Sequence, residues 1–250
     1  SGVFMFGQYF ENVKKKHPVI HNITNYVTAN DVANIILAAG GSPIMSDEVE
    51  EVSDITAKSS GLNINIGTLN HNSEKAMLLA CKTASQMHKK ILLDPVGIGV
   101  SFYRQRFVDK LCDSICFDVI KGNISEMLFF ANGSGISTGV DASKSDEVTA
   151  QNLKKTLELL NKLAIKYNCV IVATGKIDLV CDGRQSYAIY NGVSQMNQIT
   201  GAGCMLSGLI TTVISAICPS SCIVEPARII SFVRENHSAH TRKSNRHIVV

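Results

Sequence analysis

The sequence lacks the features that mark several classes of protein. Charged residues make up only 18% of its 250 residues, prolines number 5, and hydrophobic residues reach 45%. This composition supplies a core and excludes disorder for the bulk of the chain. No stretch reaches the roughly 18 consecutive apolar residues that a membrane-spanning helix needs. The most apolar stretch, residues 204–218, is interrupted by serine, threonine and glycine, so it predicts a buried helix.

Net charge is also missing from most of the chain. The formal charge of +3 is carried by the segment from Arg234 onward, and residues 1–233 are neutral overall. A protein that neutralises many nucleic-acid phosphates needs a basic face. We therefore expect no nucleic-acid partner.

Cysteine patterns of metal sites are absent as well. The 8 cysteines form no C-x-x-C pair and have no histidine at zinc-finger spacing. Residues 1–9 contain neither the basic residue nor the long apolar core of a secretory leader. We therefore expect reduced thiols in a cytoplasmic protein, most of them small core residues.

Segments of strand type and helix type alternate along the chain. Short apolar runs predict strands at residues 19–23, 62–66, 91–93, 117–120 and 169–173. Helical spacing predicts helices at residues 27–39, 73–88, 102–114, after 123, at 147–167, 203–217 and 226–236. This alternation predicts an α/β fold with a mostly parallel central sheet covered by helices on both faces. Two further runs, 178–181 and 186–190, flank Asp182-Gly183, which predicts an antiparallel hairpin.

The domain organisation is predicted to be simple. No linker-like change of composition divides the chain, so we interpret residues 1–250 as a single domain. Residues 237–250 are polar and basic, and they are interpreted as a solvated or disordered tail or, equally, as a functional segment.

No known nucleotide-binding motif occurs in the sequence. The patterns G-x-x-x-x-G-K-[ST] and G-x-G-x-x-G are both absent. Residues 200–204 nevertheless place Gly201 and Gly203 directly before an apolar helix, where backbone N–H groups and the positive end of the helix dipole converge. This arrangement predicts an anion site, with Cys204 in the first turn. A glycine turn before a core helix, with an incidental buried cysteine, explains the spacing equally well.

Several polar residues follow predicted strands, where ligands of open α/β sheets bind. Asn123 and Glu126, three residues apart at a helix start, could hold a hydrated Mg²⁺ beside nucleotide phosphates. They could equally form a helix cap, with Asn123 as the N-cap and Glu126 as its capping-box partner. Asp94 and Thr174, which precede a proline and a glycine, are open in the same way because both pairs also form turns.

An ordered set of sequence blocks resembles the hydroxyethylthiazole kinases. The early block His21-Asn22-Ile23-Thr24-Asn25-Tyr26-Val27 is the most family-specific of them. The others, in the family's order, are Asn30, Ala33-Asn34, Leu37-Ala38, Gly41-Ser42-Pro43-Ile44-Met45-Ser46, Asn65-Ile66-Gly67-Thr68-Leu69, Asp94-Pro95-Val96-Gly97, Val119-Ile120-Lys121-Gly122-Asn123 with Ser125-Glu126, Thr174-Gly175 and Thr200-Gly201-Ala202-Gly203-Cys204. Any one block is weak, but the ordered set, which covers roughly residues 8–218, is strong.

The resemblance implies a ribokinase-like α/β fold and a specific reaction. That reaction is transfer of the ATP γ-phosphoryl group to the hydroxyl of 4-methyl-5-(2-hydroxyethyl)thiazole, a step of thiamine salvage. The family's thiazole-binding positions match Asn25, Met45 and Gly201. Its nucleotide-binding positions match Lys121 and Thr174, and Asn123 is placed with them.

The same resemblance implies a metal, a catalytic position and an assembly. Mg²⁺ would lie near Asp94 and Glu126, and Cys204 would stand nearest the substrate hydroxyl, with general base as the hypothesis for its role. Met45 is expected in a loop, where a polarizable thioether suits a thiazole. The family is homotrimeric, with each active site lined by two neighbouring subunits.

Two departures and two alternatives accompany this reading. Position 121 is commonly arginine in the family and is Lys121 here, which keeps the charge but loses bidentate phosphate geometry. From about Ser231 the chain no longer follows the family's pattern. The alternatives are another small-alcohol kinase of the same fold, such as one acting on hydroxymethylpyrimidine, and a non-catalytic thiazole-binding protein.

Overall fold

The structure, a computed structural model, describes residues 3–133, 147–190, 199–217 and 247–249. Its strands are β1 Val19–Ile23, β2 Ser42–Met45, β3 Gly61–Asn65, β4 Lys90–Asp94, β5 Val119–Asn123, β6 Val170–Thr174, β7 Asp178–Cys181, β8 Ser186–Ile189 and β9 His247–Val249. Its helices are α1 Val3–Lys16, α2 Ala29–Ala38, α3 Val52–Lys58, α4 His71–Gln86, α5 Phe102–Ser114, α6 Ile124–Gly133, α7 Leu153–Tyr167 and α8 Ala202–Ala216.

All of these strands belong to one sheet. The strand order is β2-β1-β3-β4-β5-β6-β7-β8-β9. Strands β1 to β6 are parallel to one another. Strand β7 pairs antiparallel with β6, β8 with β7, and β9 with β8. The predicted fold class, a mostly parallel sheet with helices on both faces, is confirmed, and the hairpin around Asp182-Gly183 joins β7 to β8.

Side chains alternate between the two faces of the sheet, and the two faces differ in chemistry. On what we call the apolar face, the strands present mainly Ile, Leu and Val side chains to α3, α4, α5, α6 and α7. Its central members are Ile23, Leu62, Ile64, Leu93, Ile120 and Ile171. The opposite face, which we call the α8 face, packs against α8, α1 and α2. It buries an apolar cluster that includes Leu92, Val119 and Val172, and beside this cluster the polar residues Asn22, Asn63, Asn65, Asp94 and Lys121.

Most predicted boundaries lie within two residues of those in the structure, and two differ by more. Strand β5 ends at Asn123, three residues beyond the end of the predicted strand 117–120. The helix predicted at 147–167 begins only at Leu153. Asn152 explains the late start, because its side chain accepts a hydrogen bond from the N–H of Thr149 and donates one to the carbonyl of Glu147. These local bonds compete with helix formation. The helix predicted at 226–236 lies outside the described residues.

Several elements were not predicted. They are the helices α1 and α3 and the strands β2 and β9. Strand β9 pairs with β8, so His247–Val249 add a strand to the edge of the sheet, which their β-branched residues favour. The rest of the predicted tail, 237–246 and 250, lies outside the described residues. No helix in the described ranges combines the length and apolar character that crossing a membrane requires.

Candidate active site

Polar residues at the carboxyl ends of four neighbouring strands point to the α8 face. They are Asn65 on β3, Asp94 on β4, Lys121 and Asn123 on β5, and Thr174 on β6. The register pairs Asn65 directly with Asp94, and Asn123 with Thr174. Parallel strands therefore bring residues that are far apart in sequence to one edge of the sheet, below the start of α8.

The start of α8 depends on a glycine. Gly201 is the N-cap residue, with φ +82, in the left-handed region that favours glycine. A Cβ at this position would also collide with the side chain of Thr28, which precedes α2. The helix can therefore approach the β1–α2 connection closely. The N–H of Ala202 donates to the carbonyl of Ile199 at 3.4 Å. The amides of Gly203 and Cys204 have no carbonyl within the helix to bond, so they are available to an anion.

Cys204 lies in the first turn of α8 and is nearly buried, with 9% exposure. Its Sγ accepts hydrogen bonds from Asn25 Nδ2 at 3.3 Å and from Asn65 Nδ2 at 3.2 Å. Asn25 is not the N-cap of α2, which is Thr28. Its Oδ1 instead accepts hydrogen bonds from the backbone N–H and the hydroxyl of Thr28, at 3.1 and 3.0 Å. That turn directs the Asn25 amino group toward the sulfur.

Asp94 is fully buried, and its two carboxylate oxygens have different surroundings. Oδ2 accepts hydrogen bonds from Ser207 Oγ at 2.6 Å, Asn65 Nδ2 at 3.1 Å and Lys121 Nζ at 3.3 Å. Oδ1 is buried without a hydrogen-bond partner among the described residues. Because a buried carboxylate oxygen is costly to leave unpaired, Oδ1 is a natural place for a further ligand.

Lys121 does not project freely into a nucleotide site. Its side chain is 4% exposed, and Nζ donates to the carbonyl of Gly203 at 2.8 Å as well as to Asp94. The ammonium group therefore ties β5 to the first turn of α8. Its positive charge lies directly behind the predicted anion site.

Asn123 and Glu126 form the capping box that the sequence left open. The N–H of Glu126 donates to Asn123 Oδ1 at 2.8 Å, and the N–H of Asn123 donates to Glu126 Oε2 at 2.7 Å. Glu126 Oε1 accepts from the N–H of Gly97 at 2.8 Å. Burial raises the pKa of the Glu126 carboxyl, and the nearby charge of Asp94 raises it further. The residue is thus a structural cap whose carboxylate stands beside Asp94.

Met45 and Thr174 stand farther from the centre, on either side. Met45 ends strand β2, so the expectation of a loop position is wrong, and its side chain is 37% exposed. The parallel pairing of β2 with β1 explains the difference, because Pro43 lies on an edge strand, where proline is tolerated. Thr174 ends β6, and its hydroxyl donates to the carbonyl of Gly122 at 3.3 Å.

Sequence reasoning missed three residues of this region. Asn65 lies in one of the family blocks, and Ser207 is a polar residue within the apolar stretch 204–218. Neither was assigned a role from the sequence. Arg104 left no signal in the sequence. Its guanidinium donates to the carbonyls of Val96 and Gly67, both at 2.7 Å, and so joins the loops that follow β4 and β3.

Comparison with known proteins points to one family. The family model described as "Hydroxyethylthiazole kinase family" matches residues 10–244. A hydroxyethylthiazole kinase of Clostridium acetobutylicum is 46% identical over 212 residues, which is 85% of this chain and 78% of that protein. One of Methanobrevibacter smithii is 38% identical over 239 residues, covering 93% and 83% of the two chains.

Solved structures agree. A hydroxyethylthiazole kinase protein of Pyrococcus horikoshii superposes with a TM-score of 0.79 at 29% identity, covering 92% of this chain and 82% of that one. A pyridoxal kinase of Staphylococcus aureus in complex with ADP reaches a TM-score of 0.59 at 12% identity, covering 86% and 84%. The second likeness concerns the fold alone.

Proposed function

Because the chain belongs to the hydroxyethylthiazole kinase family, we propose that it transfers the ATP γ-phosphoryl group to the hydroxyl of 4-methyl-5-(2-hydroxyethyl)thiazole, in thiamine salvage. One observation in the structure carries the proposal: the start of α8 brings the amides of Gly203 and Cys204, a buried lysine, a buried aspartate and a thiol together. Phosphoryl transfer is mainly positioning and charge neutralisation, and these groups supply both.

The phosphate side of the site is built on the first turn of α8. The amides of residues 201–204 and the helix dipole would receive the transferred phosphoryl group. Lys121 holds the carbonyl of Gly203, so it keeps this turn in place and adds a positive charge behind it. Asn123 and Thr174, paired at the ends of β5 and β6, would lie on the nucleotide side.

A magnesium ion fits the residues of this edge. Asp94 Oδ1 is a buried oxygen with no hydrogen-bond partner in the described part of the chain, and the Glu126 carboxylate is nearby. The described ranges contain no group of three or more His, Cys, Asp or Glu side chains that could hold a metal. Asp94 and Glu126 would therefore share the ion with water and phosphate, as Mg²⁺ prefers. Held by Asp94 and Glu126, a magnesium ion would supply positive charge to neutralise the phosphates.

The acceptor side of the proposed site is centred on Cys204. Cys204 would stand beside the attacking hydroxyl, and Asn25, which donates to its sulfur, would border the thiazole together with Gly201 and Met45. The hydroxyl proton leaves late in a loose transition state, so a strong base is not required. We propose general-base assistance by Cys204 as a contribution to kcat rather than to nucleotide affinity.

We also propose a homotrimer whose active sites lie between subunits. Large apolar side chains are exposed next to the thiazole side of the site, including Tyr26 at 66%, Val27 at 69% and Leu37 at 57%. Apolar surface of this kind is more typical of an interface than of a monomer's exterior.

The cysteines of the described part are free thiols, which supports a reducing, cytoplasmic location.

The test is a coupled assay of ADP release. Purified protein with MgATP should release ADP when the thiazole alcohol is added, and much less with a hydroxymethylpyrimidine. Faster release with the pyrimidine would overturn the substrate assignment. Thiazole binding by calorimetry without any ADP release would favour the non-catalytic binder, which Asp94, Glu126 and Cys204 together argue against.

A further inference from the structure

We propose that Asn65 is a positioning residue whose carboxamide holds Asp94 and Cys204 as one unit. The carboxylate on the metal side and the sulfur on the acceptor side then keep a fixed orientation relative to each other. The proposal rests on the proposed function. No role in the reaction was assigned to Asn65 from the sequence. It lies at the end of β3, 1% exposed, between the two residues it would join.

The carboxamide of Asn65 uses its whole hydrogen-bonding capacity inside the site. Its amino group donates to Cys204 Sγ at 3.2 Å and to Asp94 Oδ2 at 3.1 Å. Its oxygen accepts from the N–H of Gly67 at 2.9 Å and from Asn25 Nδ2 at 3.1 Å. An asparagine side chain can make two donor and two acceptor bonds, so none is left over.

These partners permit only one orientation of the amide. The N–H of Gly67 can only donate, so it must face the oxygen of Asn65. The Asp94 carboxylate must accept, so it must face the amino group. A rotation of the amide by 180° would break both of these contacts. The Gly67 N–H and the Asp94 carboxylate therefore lock Asn65 in one orientation.

On the metal side, this lock decides which oxygen of Asp94 is presented. Asn65, Lys121 and Ser207 all bond to Oδ2. Oδ1 is left without a partner among the residues described, although it is fully buried. The outer partners of a metal-binding carboxylate orient it in this way.

On the acceptor side, the lock decides how the sulfur is oriented. Asn25 and Asn65 both present amino groups to Cys204 Sγ, so the sulfur is the acceptor in both contacts. The S–H of a thiol, or the remaining lone pair of a thiolate, must then point away from both amides. Asn65 touches the thiol and the carboxylate through two hydrogens of one nitrogen, so displacing it disturbs both.

The chain offers a matched control two residues earlier on the same strand. Asn63 is also a fully buried asparagine on the α8 face. Its amino group donates to Asn22 Oδ1 at 3.0 Å, and none of its described contacts reaches Asp94 or Cys204. Replacing either asparagine by alanine removes the same atoms from the same face of β3.

The experiment compares Asn65→Ala, Asn63→Ala, Cys204→Ala and the double variant Asn65→Ala/Cys204→Ala. We expect Asn65→Ala to lower kcat by about 10- to 100-fold, the usual effect of losing an orienting partner. Asn63→Ala should leave kcat within about twofold. It should also lower thermal stability less than Asn65→Ala, because the described contacts give Asn63 one hydrogen bond and an unpaired Oδ1. In the Asn65→Ala background, Cys204→Ala should cost far less than in the wild type, because the thiol is already out of place.

A role in stability alone would give different results. The proposal would be overturned if the kcat losses of Asn65→Ala and Cys204→Ala multiplied in the double variant. Equal kcat losses in Asn65→Ala and Asn63→Ala would overturn it as well. Crystal structures of both alanine variants give a readout without turnover: Asp94 and Cys204 should move only in Asn65→Ala, and unchanged positions would contradict the proposal. Failure of the wild type to release ADP would overturn the function alone, since the structures test Asn65 separately.

Discussion

The two faces of the central sheet are built from the same strands but differ in the interactions that their side chains make. On β4, Leu93 packs into the apolar face while Asp94, the next residue, joins the hydrogen-bonded network of the α8 face. On β3, Ile64 and Asn65 divide in the same way. The apolar face is held by dispersion and the hydrophobic effect. The α8 face combines an apolar cluster, which includes Leu92, Val119 and Val172, with a network of directional hydrogen bonds.

This contrast shows where the protein can tolerate change. Apolar packing is non-directional, so a loss on the apolar face lowers stability without redirecting any group. On the α8 face, each donor also decides which atom its partner presents, as the unpaired Oδ1 of Asp94 illustrates. Substitutions in the polar network of this face should therefore affect turnover more than stability.

The largest effect is expected from Asp94→Asn. The amide keeps the shape of the side chain but removes the charge that would bind Mg²⁺ and pair with Lys121. We expect kcat to fall by about 1,000-fold. Steady-state kinetics with excess MgATP measure this, and a change below about tenfold would place the metal elsewhere.

The neighbouring Leu93→Ala should have the opposite profile. Removing a fully buried leucine from the apolar face leaves a cavity and should lower the free energy of unfolding by about 2–5 kcal/mol. The kcat of the folded enzyme should stay within about twofold. Urea unfolding and kinetics on the same samples measure both quantities, and a large kcat loss without a stability loss would break the contrast between the faces.

Ser207→Ala should produce a smaller, local effect. It removes the shortest of the three bonds to Asp94 Oδ2 and leaves the other two. We expect kcat to fall by about tenfold, the low end for a residue that orients a carboxylate. The matched control is Thr211→Val, one turn farther along α8, where the buried hydroxyl bonds only to the Ser207 carbonyl in the described contacts. Equal losses in both variants would assign the effect to the helix.

The smallest effect is expected from His21 on β1, at the edge of the apolar face. His21 lies 2.8 Å from Thr56 Oγ1 and 3.0 Å from the carbonyl of Ser46, and burial lowers its pKa below the usual 6.5. As the pH falls below 6.5, the unfolded state takes up this proton before the folded state does. The free energy of unfolding therefore decreases as the pH is lowered toward the pKa of His21 in the folded protein. His21→Asn should flatten this part of the curve of unfolding free energy against pH. Urea unfolding at a series of pH values measures this, and an unchanged curve would contradict the prediction.

The fold was predictable because its signals are local. The apolar run at 169–173 and the spacing at 102–114 are read from neighbouring residues, and β6 and α5 lie where these patterns placed them. The late start of α7 was not predictable in this way. It depends on an Asn152 side chain that competes with the helix for backbone groups.

The sequence by itself determined the family, the reaction class and the strands whose ends carry polar residues, since ordered motifs and periodicity survive without a third dimension. Only the tertiary structure decided which atoms meet. Cys204 and Asn65 are 139 residues apart, and their contact exists because the parallel strand order brings β3 under the start of α8. Hydrogen bonds depend on distance and direction, and a linear sequence specifies neither until the chain has folded.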